Sequence, residues 1–144
     1  MTRMRIVCTR VSSASVTVDD ATIAELPRPG LLVLAGVGHA DTVEQAAALA
    51  RKIWGLRILD DELSASDVDA PILVVSQFTL AAETAKGLRP GFSNGAAPEL
   101  AERLYEYFVA RCRDTGLVTA TGRFAADMQV SLINDGPVTF WLEV

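Results

Sequence analysis

Two alternating segments near the C-terminus, joined by Asn134-Asp135-Gly136-Pro137, indicate a β-sheet with one buried face. Apolar and polar residues alternate over 128–132 and again over 138–142, which is the period-2 pattern of half-buried strands. Asp-Gly is a frequent two-residue turn, so one interpretation is a hairpin between strands near 126–134 and 137–143. Pro137, however, removes a backbone donor where the second strand begins to pair, so a second role for this junction stays open.

Further strands are predicted upstream. They span 4–9, 14–19 and 30–37, and a continuously apolar strand that turns polar at its end spans 71–80. Turn residues at Ser12-Ser13, at Asp19-Asp20 and over 27–30 separate the first three, so the chain is expected to begin as antiparallel sheet.

Two helices are predicted between and after these strands. The first spans 42–56, with Asp41 or Thr42 as its N-cap and Glu44 or Gln45 completing a capping box. Its apolar stripe comprises Ala46, Ala50, Ile53 and Trp54.

The second helix spans 98–114, begins with Pro98, ends before Gly116 and follows a polar loop at 81–97. Its apolar stripe comprises Ala101, Leu104, Tyr105, Phe108 and Cys112. Two rounds of strands followed by a helix predict an α+β fold.

The bulk properties indicate one compact domain over residues 1–144. Half of the residues are hydrophobic and 22% are charged, which excludes a disordered chain. No apolar run approaches the ~20 residues of a membrane span, and the N-terminus does not resemble a signal peptide. We therefore expect a cytoplasmic protein that does not associate with membranes.

The charge pattern limits how this chain can contact nucleic acid. A net charge of −5 argues against a protein that grips nucleic acid along its phosphates. Local basic clusters can still steer an RNA end. They are Arg3, Arg5 and Arg10; Arg51, Lys52 and Arg57; and Lys86 with Arg89.

Common catalytic motifs are missing from the sequence. Cys8 and Cys112 lie far apart and are interpreted as small buried hydrophobic residues, and His39 is interpreted as a surface residue. No residue spacing indicates a catalytic triad, a metal site or a phosphate-binding loop, so no metal or cofactor is expected.

Two segments remain as candidates for chemistry: Ser76–Leu80 ("SQFTL") and Gly136-Pro137. Polar residues at the end of an apolar strand offer hydroxyl, amide and backbone N–H groups on a rigid support. From residue types alone, Ser76, Gln77 and Thr79 can equally be satisfying backbone groups at the end of a sheet.

A family resemblance favours the functional interpretation. The segments "VVSQFTL" at 74–80, "KGLRPGFSNGAAPE" at 86–99, "TGRFAADMQVSL" at 121–132 and "NDGPVTFWL" at 134–142 closely resemble the bacterial-type D-aminoacyl-tRNA deacylases. The opening "RVSSASVTVD" and "GLLVLAGV" are also similar. The likeness covers nearly the whole chain, with the motifs in the same order.

The resemblance implies a mostly antiparallel sheet that forms a barrel-like core, with two main helices packed on it. It implies a cytoplasmic homodimer that hydrolyses the ester between a D-amino acid and the 3′-terminal adenosine of tRNA, as a translation quality-control enzyme. Activity on mischarged glycyl-tRNA is also expected.

The resemblance also assigns site residues. Gln77, Phe78 and Thr79 are expected at the scissile ester, and the expected substrate-binding residues are Ser76, Phe92, Met128, Gly136 and Pro137. In the family the Gly-Pro peptide bond is cis and reaches into the pocket of the partner subunit. A wall of backbone carbonyl oxygens there would accept a hydrogen on Cα but collide with an L side chain.

The mechanism is less specified by the sequence. Thr79 needs an adjacent base to act as a nucleophile, and no histidine or lysine is placed to serve. The preferred hypothesis is that backbone and Gln77 donors stabilise the oxyanion while the 2′-hydroxyl of the RNA positions water.

The chain departs from the family in two places. The segment "DDELSASDVDAP" at 60–71 is shorter and more acidic than usual, and Ala85 and Leu88 stand where basic residues are frequent. The alternative from another class is therefore a dimeric RNA-end-binding paralogue without turnover. A deacylase that mainly clears glycine is the other enzymatic alternative.

Overall fold

One long strand organises the sheet in the computed structural model, which describes residues 3–144. Strand β1 (Arg5–Val18) pairs along one edge with β6 (Gln129–Glu143). Its other edge pairs first with β3 (Gly30–Gly36) and then with β2 (Ala21–Glu25). All three pairings are antiparallel, and a single strand with two successive neighbours on one edge lets the sheet curl.

Two further strands extend the sheet in parallel. Strand β4 (Ile72–Ser76) pairs with β3, and β5 (Thr119–Thr121) pairs with β4. Strand β5 approaches β2, so the six strands nearly close into a barrel. The predicted α+β barrel-like fold is confirmed, and the sheet is mixed, with parallel pairing at β3–β4 and β4–β5.

The two main helices lie where the sequence predicts them, and a third, short helix was not predicted. Helix α1 is Val43–Gly55, a short α2 is Ala65–Val68, and α3 is Pro98–Asp114. Thr42 is the N-cap of α1, and its backbone N–H donates to Gln45 Oε1 at 2.7 Å, as the predicted capping box requires. The predicted stripe of α1 is wrong at Trp54, which is 42% exposed, whereas Leu49 is buried.

One of the expected breaks in the sheet is absent from the structure, and another is confirmed. Ser12-Ser13 is not a turn: β1 continues through it with register shifts between Thr9 and Ser13. Asp19-Asp20 is the turn, with both residues at positive φ, and it leads into β2, which the sequence analysis missed.

The predicted hairpin at 134–137 is also wrong. Strand β6 runs through this segment without reversing, because both of its halves pair with the same strand, β1. Asn134 pairs with Val11 and Thr139 pairs with Thr9, so residues 135–138 bulge opposite the single residue Arg10. Pro137 lies in the bulge, outside the ladder, where its missing N–H costs no pairing.

The core has two parts, one on each face of the sheet. One lies between the sheet and α1 and α3, and the other fills the barrel interior. Strand β4 contributes Ile72 and Val74 to the first and Leu73 and Val75 to the second. Burial on both faces explains why this strand is continuously apolar.

The end of the predicted 71–80 strand and the acidic segment before it fold locally. The strand ends at Ser76, and a 3₁₀ helix, Phe78–Ala81, follows. The segment 60–71 contains a 3₁₀ helix, Asp60–Glu62, and then α2, whose N-cap Ser64 accepts from the Asp67 N–H. No helix within residues 3–144 is long and apolar enough to cross a membrane.

Candidate active site

A cavity of about 560 Å³ opens where β3 and β4 end. The parallel strands β3 and β4, the 3₁₀ helix after β4, the loop before α3, the first turns of α3 and the segment before β6 all contribute to its wall. The predicted site residues in this wall are Ser76, Gln77, Phe78, Phe92 and Met128. The crevice at the carboxyl ends of parallel strands is a common place for a ligand.

The 3₁₀ helix at the cavity mouth is held close to β3. The Gln77 N–H donates to Ala35 O at 2.8 Å, and the Leu80 N–H donates to Gln77 O at 3.2 Å. At Gly36 an added Cβ would lie 2.7 Å from Gln77 O and 2.8 Å from Leu80 Cβ. Only glycine therefore lets β3 pass this close to the Gln77–Leu80 backbone.

Gln77 and Thr79 interact directly. The Gln77 Nε2 amide donates to Thr79 Oγ1 at 2.5 Å, and Thr79 is exposed beside the cavity rather than in its wall. Within residues 3–144 no histidine or lysine lines the cavity, and His39 is exposed, as predicted. The Thr79 hydroxyl is thus fixed by an amide rather than activated by a base.

Two aromatic side chains form the rim of the cavity. The rings of Phe78 and Phe92 lie 5.4 Å apart between centroids, and the side chains are 70% and 44% exposed. Aromatic rings this exposed beside a cavity are suited to contact a ligand.

The floor of the cavity contains residues that the sequence analysis did not assign to a site. Tyr105 was assigned only to the apolar stripe of α3, yet its ring borders the cavity and packs 5.8 Å from Phe124. Its hydroxyl donates to Val74 O at 3.0 Å, and burial raises the pKa of Tyr105 to about 12, so the phenol stays neutral near pH 7. Asp127 also lines the cavity, and its neighbour Met128, in the quoted "TGRFAADMQVSL" motif, was the sequence signal for this wall.

Gly122 fits closely against Met128. A Cβ at Gly122 would lie 2.6 Å from Met128 Sδ, so glycine here lets the thioether pack beside Val75. A side chain at position 122 would therefore meet the flexible end of Met128 and displace it.

The other two predicted site residues, Gly136 and Pro137, do not line this cavity. They lie in the β6 bulge, their peptide bond is cis, and Gly136 has φ +129°. The Asn134 side chain closes the bulge, accepting from the Val138 N–H at 3.2 Å.

Arg10 supports the bulge from β1. Its Nε donates to Asp135 O at 2.9 Å, and its Nη1 donates to Asp60 Oδ1 at 3.1 Å. A Cβ at Gly136 would lie 2.7 Å from Arg10 Nη2. Arg10 thus joins the Gly-Pro bulge to the acidic segment after α1.

Strand β6 carries a row of exposed apolar side chains. They are Leu132, Ile133, Phe140 and Trp141. Within residues 3–144 β6 pairs only with β1, so its outer edge is open. A long, apolar, unpaired edge is typical of a surface that another chain covers.

The two cysteines and the acidic residues do not form a second site. Cys8 and Cys112 are buried, as predicted, and burial raises the pKa of each thiol to about 12. In the part of the chain that the structure describes, no three His, Cys, Asp or Glu side chains are grouped to hold a metal ion.

Comparison with known proteins agrees with this fold. The family model for D-Tyr-tRNA(Tyr) deacylase matches residues 7–143. A D-aminoacyl-tRNA deacylase of Erwinia tasmaniensis is 59% identical over 140 residues, which cover 94% of this chain and 96% of that protein. A solved structure of a c-Myc DNA unwinding element binding protein has a TM-score of 0.91 at 39% identity, covering 97% of this chain and 98% of that one. A probable eukaryotic D-amino acid tRNA deacylase, 16% identical over both full chains, has a TM-score of 0.87 and supports the fold.

Proposed function

Because the chain belongs to the D-aminoacyl-tRNA deacylase family of ester hydrolases, we propose that it cleaves the ester between a D-amino acid and the 3′-terminal adenosine of tRNA. The observation that carries this proposal is the cavity wall formed by Ser76, Gln77 and Phe78, opposite Phe92 and Met128. The wall combines exposed aromatic faces, suited to a nucleoside, with an amide and backbone donors suited to an ester carbonyl.

The chemistry rests on donors rather than on a nucleophile. The first N–H groups of the 3₁₀ helix Phe78–Ala81 have no partner inside the helix, so they are available to a developing oxyanion. Gln77 adds a side-chain amide next to them. An aminoacyl ester is already reactive, so positioned water, held by the 2′-hydroxyl of the RNA, completes hydrolysis.

The selectivity for D-amino acids is assigned to Gly136-Pro137 acting in a second copy of the chain. These residues lie outside the cavity of their own chain, on the strand with the open apolar edge. In a homodimer built on β6, the bulge of one copy reaches the cavity of the other. Its backbone then closes the pocket around the amino acid, which holds the ester against the donors, and leaves room for hydrogen but not for a side chain on one side of Cα.

Acceptance of glycyl-tRNA follows from the same exclusion, since glycine has no side chain to collide with the wall. A role in translation quality control follows if L-aminoacyl-tRNA is spared. The net charge of −5 disfavours a second function in which the chain holds duplex DNA along its phosphates.

The test is side-by-side hydrolysis of D-tyrosyl-tRNA and L-tyrosyl-tRNA by the purified protein. Rapid loss of the D ester alone supports the proposal, and cleavage of both esters would show that the bulge does not exclude L-amino acids. A folded dimer that cleaves neither would favour the non-catalytic RNA-end-binding alternative.

A further inference from the structure

We propose that the tip of the 83–91 hairpin binds the phosphates of the single-stranded 3′ end of tRNA, just before the terminal adenosine, through Lys86 and Arg89. This inference rests on the proposed function, because it assigns a surface to the substrate that the cavity acts on. Four observations support it. The base of the hairpin is anchored, its two cations have no carboxylate partner within residues 3–144, it lies beside the cavity rim, and the chain as a whole is acidic.

The base of the hairpin is fixed. Glu83 and Gly91 exchange both backbone hydrogen bonds, with N···O distances of 2.7 and 2.9 Å. The Glu83 carboxylate also accepts from the Asn94 amide, and Asn94 O accepts the His39 N–H at 3.0 Å. The hairpin is therefore tied to the loop that leads into the cavity wall.

The tip projects away from this base. The side chains at the tip, Lys86, Leu88 and Arg89, are exposed, and Leu88 is fully accessible to solvent. Neither Lys86 nor Arg89 lies within 4.0 Å of a carboxylate of residues 3–144, whereas Arg5, Arg10 and Arg111 are paired. The two cations are thus free to meet an external anion.

The position of the hairpin matches the path of the substrate. Phe92 follows the base directly and faces Phe78 across the rim of the cavity. Arg89 is three residues from Phe92 and Lys86 is six, so an extended chain puts these two cations at most about 11 and 22 Å from the rim. A 3′ end whose adenosine occupies the cavity must leave over the rim, where its preceding phosphates meet the tip.

Charge explains why the contact has to be local. With a net charge of −5 the chain as a whole repels RNA, so attraction must come from cations next to the bound end. Lys and Arg are the usual partners of phosphate oxygens, and such contacts position a nucleic acid without reading its bases. Lys86 and Arg89 are the two cations in the hairpin and would carry this contact.

The test compares two substrates that differ only in the RNA. D-tyrosyl-tRNA has the phosphates, and 3′-D-tyrosyl-adenosine has none. The variant is Lys86→Gln with Arg89→Gln. The matched control is Arg51→Gln with Lys52→Gln, which removes the same charge from another of the exposed basic clusters, on α1, and so tests whether the effect is confined to the hairpin. Activity is measured as kcat/KM at low and high salt.

We expect the hairpin variant to lose activity on D-tyrosyl-tRNA through KM and to keep full activity on 3′-D-tyrosyl-adenosine. Each contact to a single-stranded phosphate releases about 0.7 counterions, so the loss of two contacts weakens the salt dependence of kcat/KM. The factor by which kcat/KM on the tRNA falls between about 50 and 200 mM salt should be roughly sevenfold smaller for the variant than for the parent. The control should behave as the unaltered protein.

Equal activity of variant and parent on the tRNA, an equal loss on both substrates, or the same loss in the control would each overturn the inference while leaving the proposed function intact. Absence of cleavage by the unaltered protein would instead overturn the proposed function, and this inference with it.

Discussion

At the scale of single residues, Gln77 and Thr79 share a hydrogen bond but are assigned different roles. Thr79→Ala removes the acceptor of the Gln77 amide, worth about 1 kcal/mol, so we expect less than about a tenfold loss of kcat on D-tyrosyl-tRNA. Gln77→Ala removes an oxyanion donor and should cost about 10²–10³ in kcat. A loss on the order of 10⁴ for a folded Thr79→Ala protein would make Thr79 the nucleophile and contradict this assignment.

The sequence supplied most of these residues but not their arrangement. Ser76, Gln77, Phe78, Phe92 and Met128 were predicted through the family resemblance, and the structure brings them to one cavity. The helical spacing of Tyr105 indicated only that it faces inward. Tyr105 borders a cavity because it packs against Phe124, in the segment before β6, and donates to Val74 O on β4. Neither contact can be predicted from the spacing along α3.

At the scale of elements, the close passage of β3 beneath the 3₁₀ helix is the feature that holds the Gln77 backbone. Gly36→Ala places a Cβ 2.7 Å from Gln77 O, against backbone that cannot yield without moving the helix. We expect the free energy of unfolding to fall by about 1–3 kcal/mol, together with a loss of kcat. Urea denaturation and the D-tyrosyl-tRNA assay measure the two effects.

The matched control for this change is Gly55→Ala, at the end of α1. Nothing lies within 4 Å of a Cβ there, and alanine favours a helix over glycine by up to about 1 kcal/mol. The control should therefore be at least as stable as the parent and equally active. A Gly36→Ala protein that matched Gly55→Ala in both measurements would show that the close passage has no role.

Element boundaries were predictable wherever the local sequence determines them. The capping box of Thr42 and the Pro98 start of α3 are local signals, and both helices begin as predicted. The bulge in β6 was mistaken for a hairpin because Asp-Gly signals a turn in either case. Only the pairing of both halves with β1, more than a hundred residues away, distinguishes the two.

At the scale of the whole molecule, the open edge of β6 is assigned to a homodimer. Ile133 is 61% exposed on this strand, so Ile133→Glu puts a charge into the proposed interface without disturbing the core. We expect a monomer by light scattering and at least a tenfold loss of activity, because Gly136-Pro137 then has no cavity to enter. Val43→Glu, the same kind of change at a position that is 45% exposed at the start of α1, should remain dimeric and active.

An Ile133→Glu protein that stays dimeric would place the interface elsewhere. The sequence predicted the fold class at this scale from the order of strands and helices. It did not predict the parallel pairing of β3 with β4, because the long connection through α1 and α2 permits either direction and the residue types of the two apolar strands fit both.

The central claim, that each active site combines the cavity of one chain with the Gly-Pro bulge of another, is tested most directly by mixing two impaired proteins. Gln77→Ala damages the cavity, and Gly136→Ala damages the bulge, since its Cβ meets Arg10 Nη2 at 2.7 Å and its φ is +129°. In a refolded one-to-one mixture, half of the dimers carry one of each chain, and one of their two sites contains neither substitution. We predict that the mixture regains about a quarter of the wild-type deacylation of D-tyrosyl-tRNA. Activity no greater than the mean of the two separate proteins would contradict the shared site.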